Sequence, residues 1–357
     1  MIKMKRKILF VVADITYVGG IERVITTLAN SFNTNKYEIS ILSIYNSNGA
    51  CNYPLSETIE VQFLTDNNYS GRPGSMSRMV GLLKSISLLK RFFKKNKFDK
   101  IISNSFPITS CIVLSGVKDD ILSYEHVHYG YYSNIVNLVR KIIYRKVSKI
   151  ICLTDSDLSK YKSWHESVIR IYNPSWLKSN IISEKRFNRI IAVGRLEYQK
   201  GFDVLVRLFK EVDELGVKLD IYGVGSEKDE LERIINQNNI KNIELKGKTN
   251  DIKEEYIKSD FLVMSSRFEG FGMVLVEAME CGLPCLSFDC PTGPSDIIDH
   301  GFNGYLVKLG DERDFINRLI ELSSNFELRN ELGINAKKST EKFKIERIIK
   351  QWESVLG

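Results

Sequence analysis

The sequence lacks the features typical of proteins that span a membrane, bind a metal ion or bind nucleic acid. It contains no run of about 18–20 uncharged apolar residues, the length that a transmembrane helix needs. The stretch Ile8–Ala13 offers six apolar residues before Asp14, too few for a signal-peptide core, so we expect a cytoplasmic protein. Three of the six cysteines, Cys281, Cys285 and Cys290, are close in sequence, but no His or second Cys pair lies at zinc-like spacing, and the aromatic residues form no stacking platform. We therefore expect reduced thiols, no metal, no cofactor and no nucleic-acid partner.

What is present is a chain of 357 residues with a clear asymmetry of charge. Residues 1–170 carry 24 Lys and Arg against 13 Asp and Glu, a net charge of +11, whereas residues 171–357 carry −4. The basic segment 82–97 has apolar residues at helical spacing, namely Leu82, Leu83, Ile86, Leu89 and Phe93. We expect its apolar side to pack in the core and its basic side to contact an anionic membrane surface. The alternative is an ordinary surface helix.

Apolar runs of strand length alternate with helical patterns in both halves of the chain, which is typical of doubly wound parallel α/β sheets. Helices of the first half are expected around residues 78–95 and 133–147. In the first half the predicted strands are Ile8–Ala13, Glu38–Ser43, Val61–Leu64, Lys100–Ser103, Ile121–Tyr124 and Lys149–Leu153. In the second half they are Arg189–Gly194, Lys218–Tyr222, Ile243–Leu245, Phe261–Met264 and Pro284–Ser287.

These elements predict two Rossmann-like domains, residues 1–172 and 189–342. A polar segment without sustained periodicity separates them, so we place a hinge linker at 173–188. The remaining residues, 343–357, form a predicted helix with one apolar face. Because ligands bind beyond the carboxyl ends of parallel strands, we expect the site to lie in a cleft between the domains.

The most informative stretch is residues 266–279, in which two glutamates lie eight positions apart around a Gly-Phe-Gly turn. An apolar run follows and predicts a helix from Val274 to Met279. The N–H groups at a helix N-terminus suit phosphate, and a glutamate on each side can accept hydrogen bonds from sugar hydroxyls. We therefore predict that a nucleotide sugar binds here, against Glu269, Gly270, Phe271, Gly272, Met273, Val274, Leu275 and Glu277.

Cations for the diphosphate follow an earlier strand of the same half. Arg195 and Lys200 come directly after the predicted strand Arg189–Gly194, and Gly201 leads into the next helix. Transfer of a sugar leaves negative charge on the diphosphate, and fixed cations and N–H groups can stabilise that charge. We therefore predict that Arg195 and Lys200 bind the diphosphate, and we place both among the catalytic residues with Glu269.

Together these motifs resemble the retaining glycosyltransferases of family GT4, which have the GT-B fold. Glu269 and Glu277 look like the E-x7-E motif of that family. Further pieces follow the family's order along nearly the whole chain: Gly19–Arg23, Asn173–Pro174, Val193–Gly201 and Gly301–Gly304.

The resemblance implies roles for these residues. Glu277 would bind the ribose, and Glu269 would contact the hydroxyls of the donor sugar. Arg195 and Lys200 would hold the diphosphate with no metal required. Retention of the anomeric configuration is implied by the family alone, with the leaving phosphate helping to deprotonate the acceptor. In GT-B proteins the last helix commonly crosses back to the first domain.

The resemblance also assigns residues in the first half. Gly19 and Gly20 look like the glycine-rich loop that approaches the donor phosphate or the acceptor. His126 matches a histidine that many members keep near the donor sugar and the reaction centre, so we take it as a catalytic candidate. Glu125 is an alternative candidate that would face the acceptor.

The expected activity is transfer of a hexose or N-acetylhexosamine from a nucleotide sugar, with a UDP-sugar favoured. The acceptor would be a bacterial surface glycan such as an O-antigen or capsule repeat unit. A lipid-diphosphate carrier would suit the basic first half and would place the protein on the inner face of the cell membrane. Two alternatives stay open: a soluble sugar-phosphate synthase or glucosyltransferase of the same fold, and a non-catalytic nucleotide-sugar-binding partner.

Overall fold

The computed structural model describes residues 5–69, 76–184, 186 and 188–357. The chain divides into two units. Unit 1 comprises residues 1–176 together with 345–357, and unit 2 comprises residues 177–344. The boundary after Trp176 falls inside the segment that the sequence assigned to the linker.

Unit 1 is a parallel sheet with helices between its strands. Within the described residues its strands are β1 (Arg6–Val12), β2 (Tyr37–Ser43), β3 (Glu60–Phe63), β4 (Lys100–Asn104), β5 (Ile121–Tyr124), β6 (Lys149–Cys152) and β7 (Val168–Arg170). Their order in the sheet is β3-β2-β1-β4-β5-β6-β7. The intervening helices are α1 (Gly20–Ser31), α2 (Met76–Lys95), α3 (Phe106–Leu114), α4 (Asn134–Ile143) and α5 (Asp155–Lys162). The central strands are mainly apolar, as in residues 8–12 of β1, because helices cover both faces of such a sheet.

Unit 2 repeats this architecture. Its described strands are β8 (Arg189–Val193), β9 (Lys218–Tyr222), β10 (Ile243–Gly247), β11 (Phe261–Met264), β12 (Cys285–Asp289) and β13 (Gly304–Lys308), in the order β10-β9-β8-β11-β12-β13. Its helices are α6 (Phe202–Phe209), α7 (Lys228–Gln237), α8 (Ile252–Ile257), α9 (Met273–Glu280), α10 (Pro294–Ile297), α11 (Glu312–Ser324) and α12 (Phe326–Ser339). The order reverses between β8 and β11, the position at which doubly wound sheets bind ligands.

The last helix, α13 (Ile345–Leu356), packs within unit 1. It contacts α1, and the buried ring of Trp352 lies 5.0 Å from the ring of Tyr124. The helix begins two residues later than the start expected at 343, because a 3-10 turn, Thr340–Phe343, precedes it.

Two edge strands were missing from the predicted set, β7 and β13. The first has only three residues, and the second follows a turn at Gly301–Asn303, so neither stands out as an isolated apolar run. The predicted helical segment 133–147 is helical only to Ile143 and continues as a 3-10 turn, Tyr144–Lys146.

The basic helix α2 packs its apolar side in the core, as expected. Leu82, Leu89 and Phe93 are buried there, whereas Leu83 is half exposed. The lysines of this helix lie on its exposed side. Across the residues that the structure describes, every helix is too short or too polar to span a bilayer.

Candidate active site

Two loops of unit 2 bring a cation and a carboxylate together where the strand order reverses. Lys200 ends a 3-10 turn after β8, and Glu269 lies in the loop after β11. The Nζ atom of Lys200 lies 2.6 Å from Oε1 of Glu269. Both side chains are largely buried, with 14% and 7% of their surface exposed. The two residues are therefore parts of one site, although 69 positions separate them in the sequence.

Two hydroxyl groups, one from the same loop and one from the loop after β12, hold Glu269 in place. The Oγ atom of Ser266 donates a hydrogen bond to Oε1 of Glu269 at 2.6 Å. Thr292, in the loop after β12, donates to the backbone carbonyl of Glu269, also at 2.6 Å. The other carboxylate oxygen, Oε2, makes no hydrogen bond to any described residue, which leaves it available to a ligand hydroxyl.

The backbone around Lys200 is packed too tightly for larger residues. The aliphatic chain of Lys200 lies over Gly194, where an added Cβ would approach Cε of the lysine to 3.1 Å. Gly201 has a φ of +63°, and a Cβ there would collide with the carbonyl oxygen of Ser265. Arg195 is exposed beside this turn and donates to Oε1 of Gln199 at 3.3 Å.

A residue that the sequence analysis missed, Arg267, supports the turn that carries Lys200. Its guanidinium donates to both carboxylate oxygens of Asp203, at 2.8 and 2.7 Å, and to the carbonyl of Tyr198 at 2.7 Å. Burial alone would raise the pKa of Asp203, but the hydrogen bonds from Arg267 bring that pKa below its ordinary value. The sequence feature that could have identified Arg267 as part of the site is its position two residues before Glu269.

Helix α9 begins at the predicted phosphate-binding turn. Its N-cap, Gly272, has a φ of +93°, and the buried ring of Phe271 lies 5.7 Å from that of Phe343. Among the described residues, the N–H groups of Gly272, Met273 and Val274 have no hydrogen-bond acceptor. This end of the helix therefore presents N–H donors three to five residues after Glu269, as a bound phosphate requires.

Glu277 lies in the second turn of α9 and is buried, together with its neighbour Leu275. The hydroxyl of Tyr256, on α8, donates to Oε2 of Glu277 at 3.1 Å. Burial raises the pKa of Tyr256 well above its ordinary value, and the Glu277 carboxylate raises it further, so the phenol remains protonated and can donate. The carboxylate is thus held in a fixed orientation.

The predicted glycine loop of unit 1 follows β1 and starts α1. Gly19 is the extended N-cap of α1, and Gly20 is its first residue. The carboxylate of Glu22 folds back over Gly19, where it would touch any added Cβ. The guanidinium of Arg23 lies between the rings of Tyr53 and Trp176, 4.7 and 3.9 Å from their centroids. An anion at Gly19 would therefore meet the Glu22 carboxylate as well as the backbone.

His126 follows β5 in unit 1 and is held by one hydrogen bond. Its Nε2 atom lies 2.9 Å from Oδ1 of Asn104. The amide nitrogen of Asn104 donates to the carbonyl of Val11 at 3.1 Å, so Oδ1 is the acceptor and Nε2 carries the proton. Burial lowers the pKa of His126 to about 3, which keeps the ring neutral. The remaining nitrogen, Nδ1, bonds to no described residue and can accept a hydrogen bond.

The alternative role for Glu125 is wrong. Its side chain is 1% exposed and points into unit 1, where Ser123 donates to Oε1 at 2.7 Å and Tyr161 donates to Oε2 at 3.2 Å. The guanidinium of Arg140 lies 3.9 Å from Oε2. A carboxylate enclosed in this way pairs with groups inside unit 1 and does not face an acceptor.

Two Rossmann-like units in one chain are the architecture of the GT-B class of glycosyltransferases, and unit 2 here carries a paired cation and carboxylate beside a helix N-terminus. Residues 176–339, most of unit 2, match the family model described as glycosyl transferases group 1. Over the full length, the amylovoran biosynthesis glycosyltransferase AmsD of Erwinia amylovora is 29% identical, covering 98% of this chain and 99% of that protein. An N-acetylgalactosaminyltransferase of Campylobacter jejuni, named for a substrate linked to PP-undecaprenol, is 26% identical and covers 98% of each chain.

The fold matches that of a TarM variant from S. aureus in complex with fondaparinux, α-GlcNAc-glycerol and UDP. The TM-score is 0.79 at 16% identity, with 99% of this chain and 100% of that chain covered. At this identity the likeness concerns the fold, and it confirms the predicted GT-B architecture. Residues 176–339 thus match the group 1 family model, and over its full length the chain is similar to glycosyltransferases.

Proposed function

We propose that this glycosyltransferase moves a hexose or N-acetylhexosamine from a UDP-sugar to a growing bacterial surface polysaccharide, with retention of configuration. The observation that carries the proposal is the pairing of Lys200 with Glu269 beside the N-terminus of α9. This arrangement offers a cation for a diphosphate, a carboxylate for sugar hydroxyls and N–H donors close to both. Two relatives support it, since AmsD is named for amylovoran biosynthesis and the TarM structure contains UDP.

In the proposed reaction, the acceptor hydroxyl attacks C1 of the donor sugar from the face that the diphosphate leaves. The bond from C1 to the diphosphate oxygen breaks, the bond from C1 to the acceptor oxygen forms, and the hydroxyl proton passes to the departing diphosphate. Arg195, Lys200 and the first N–H groups of α9 stabilise the charge of that leaving group, in the role that a divalent metal fills elsewhere. Glu277 holds the ribose, and Glu269 positions the sugar.

We propose that the acceptor is carried on a lipid diphosphate and that the protein works at the inner face of the cell membrane. The net charge of +11 in residues 1–170 favours contact with anionic headgroups. The Campylobacter relative, named for a substrate linked to PP-undecaprenol, supports the same kind of acceptor.

A thermal-shift series tests the donor site first. The full chain, in EDTA, is titrated with UDP, GDP, ADP and their common sugars, because a ligand of the folded state raises the melting temperature. We expect a shift with the uridine compounds, and its loss in Glu277→Ala. The matched control is Glu232→Ala in the same unit, where the glutamate is about half exposed in a surface ion pair.

Each of the other possible results would favour a different function or mechanism. A shift that requires a divalent metal contradicts the proposed role of Arg195 and Lys200. A shift with no UDP release in the presence of undecaprenyl-diphosphate-linked acceptors favours a non-catalytic binding protein. Transfer to a soluble sugar phosphate, with none to a lipid-linked acceptor, favours a sugar-phosphate synthase. No shift with any nucleotide would overturn the donor proposal.

A further inference from the structure

Helix α4 of unit 1 buries an arginine and exposes four of its six large apolar side chains. Its one fully buried residue is Arg140. Four apolar residues at positions i, i+3, i+4 and i+7 are instead exposed, to between 45% and 78% of their surface: Ile135, Leu138, Val139 and Ile142. A surface helix in water normally shows the opposite pattern. A contiguous apolar stripe on a protein surface marks a site of contact with a membrane, a protein or a ligand.

The buried arginine fixes this orientation. Arg140 donates to the hydroxyl of Tyr161 at 2.9 Å and to the carbonyl of Tyr129 at 3.2 Å, and its guanidinium lies 4.4 Å from the Tyr129 ring. It also offsets the charge of Glu125, 3.9 Å away. Turning α4 to bury its apolar stripe would withdraw Arg140 and leave Glu125 as an uncompensated buried charge, which is costly. The stripe is therefore held outward by the interior of unit 1.

The segment that carries the stripe is strongly basic. Residues 126–154 contain five Lys and Arg and no Asp or Glu. Three of these cations are exposed on α4 or in the turn directly after it: Lys141, Arg145 and Lys146. Apolar residues flanked by cations are the composition of helices that lie in the headgroup region of anionic bilayers.

The neighbouring helices extend this surface. Helix α3 contacts both α2 and α4, so the three helices lie on the same side of the sheet of unit 1. The exposed lysines of α2 and the apolar stripe of α4 therefore flank α3. Tyr131, just before α4, is exposed as well, and tyrosine is frequent where protein meets headgroups.

We propose that α4 lies in the surface of an anionic phospholipid bilayer, with Ile135, Leu138, Val139 and Ile142 inserted and the flanking cations on the headgroups. The proposal deepens the proposed function, which supplies the reason for a membrane position, by naming the element that makes the contact. In this arrangement α2 contributes mainly charge, and α4 contributes the apolar anchor.

Co-flotation of the full chain with phospholipid vesicles tests this assignment. We expect binding to vesicles of phosphatidylcholine with 30% phosphatidylglycerol (about one lipid in three), and at least tenfold weaker binding to phosphatidylcholine alone. The double variant Leu138→Gln with Ile142→Gln should bind at least tenfold more weakly, because two of the four inserted side chains become polar. Replacing Lys141, Arg145 and Lys146 by Gln should remove the preference for the anionic vesicles.

The matched control is Ile320→Gln with Ile334→Gln, two apolar residues on helices of unit 2 that are 39% and 41% exposed. It should bind vesicles as the unsubstituted protein does. Equal flotation of the α4 variant, or no flotation of the unsubstituted protein, would overturn the proposal. So would a dimer, seen by sedimentation, that the α4 variant dissociates, because a second copy would then cover the stripe.

The nucleotide thermal shift, measured without vesicles, separates this proposal from the donor proposal. The α4 variant should keep the full shift with UDP. Vesicle binding that depends on the stripe, in a protein that binds no nucleotide, would leave the membrane assignment standing and remove the donor site. A UDP shift in a protein that binds no vesicles would leave the donor site standing and remove the membrane assignment.

Discussion

The ammonium of Lys200 is paired with the carboxylate of Glu269 at 2.6 Å, in a largely buried position of unit 2. The two groups assigned to the diphosphate and to the sugar therefore neutralise each other in the structure. A diphosphate that recruits Lys200 must compete with Glu269 for it. The strength of donor binding then depends on both residues together, so the effect of substituting one of them must be compared with the effect of substituting the other.

Glu269→Gln should separate nucleotide binding from transfer. Lys200 would then be partly buried without a counter-charge, and bound UDP would relieve that cost. We expect the affinity for UDP to rise by about 1 kcal/mol, roughly fivefold, while transfer falls by about a hundredfold because the sugar loses its carboxylate. Lys200→Ala should weaken both. Calorimetry with UDP and a UDP-release assay measure the two effects.

The surface pair of Lys246 and Glu244 is the control for that experiment. It has a similar separation, 2.9 Å, but lies on β10 with the glutamate 67% exposed. Glu244→Gln should change neither UDP binding nor transfer. If Glu269→Gln weakened UDP binding as strongly as Lys200→Ala does, the competition between Glu269 and diphosphate would be refuted.

The sequence was sufficient to predict both sheets, apart from one edge strand of each, and to single out these two residues as candidates, but not to predict their pairing. Lys200 and Glu269 follow strands that are adjacent only because the strand order reverses between β8 and β11. Arg267 was missed for a similar reason, since its partner Asp203 lies on α6, 64 positions earlier. Motif spacing along a chain says which residues belong to a loop, whereas strand order decides which loops meet.

Helix α4 shows a second limit of sequence reasoning. The segment 133–147 was predicted to be helical, but a periodic pattern does not reveal which of its faces will be inside. That choice rests on Glu125, which needs a buried cation and finds it in Arg140. A single long-range ion pair thus overrode the ordinary preference for burying leucine and isoleucine.

Tyr256→Phe should weaken nucleotide binding without removing Glu277. The substitution deletes the 3.1 Å hydrogen bond that orients the carboxylate. A hydrogen bond of this kind is worth about 1 kcal/mol, so we expect the dissociation constant for UDP to rise about fivefold. Glu277→Gln should raise it by a larger factor.

Tyr305→Phe, at a buried tyrosine elsewhere in unit 2, controls for loss of a hydroxyl and should leave UDP binding unchanged. The same titration calorimetry compares all three variants. If Tyr256→Phe matched Glu277→Gln in effect, the hydroxyl itself would have to contact the nucleotide, contrary to the role assigned here.

Gly201→Ala should destabilise unit 2 far more than Gly216→Ala does. Both glycines have left-handed backbones, with φ of +63° and +70°, so both substitutions carry a strain of about 1 kcal/mol. Only at Gly201 does the new Cβ collide with a backbone oxygen, that of Ser265, whereas nothing lies within 4 Å at Gly216. We expect a loss of about 3 kcal/mol at Gly201, measured by urea unfolding. Equal losses would mean that the loop moves aside.

His126 should make the stability of unit 1 fall with decreasing pH. Its pKa is lowered by burial from 6.5 to about 3, so between these values the unfolded chain binds a proton that the folded unit does not. The contribution of His126 to the free energy of unfolding is therefore fully present above pH 6.5. It falls by about 1.4 kcal/mol per pH unit below that value, until the pH approaches 3. His126→Gln, whose amide can still donate to Asn104, should lose this part of the slope.

Tryptophan fluorescence measures that slope in unit 1 selectively, because all three tryptophans, Trp164, Trp176 and Trp352, belong to it. Urea unfolding at pH 6.5 and 5.0 should give a smaller difference in the variant, by about 2 kcal/mol. Carboxylates also titrate in this pH range, but they contribute equally to the pH dependence of both proteins and cancel in the comparison. His300→Gln, at an exposed histidine of unit 2, should leave the fluorescence-detected slope unchanged. An unchanged slope in His126→Gln would mean that the ring is protonated in the folded unit, and His126 could then not present an unprotonated Nδ1 to a substrate.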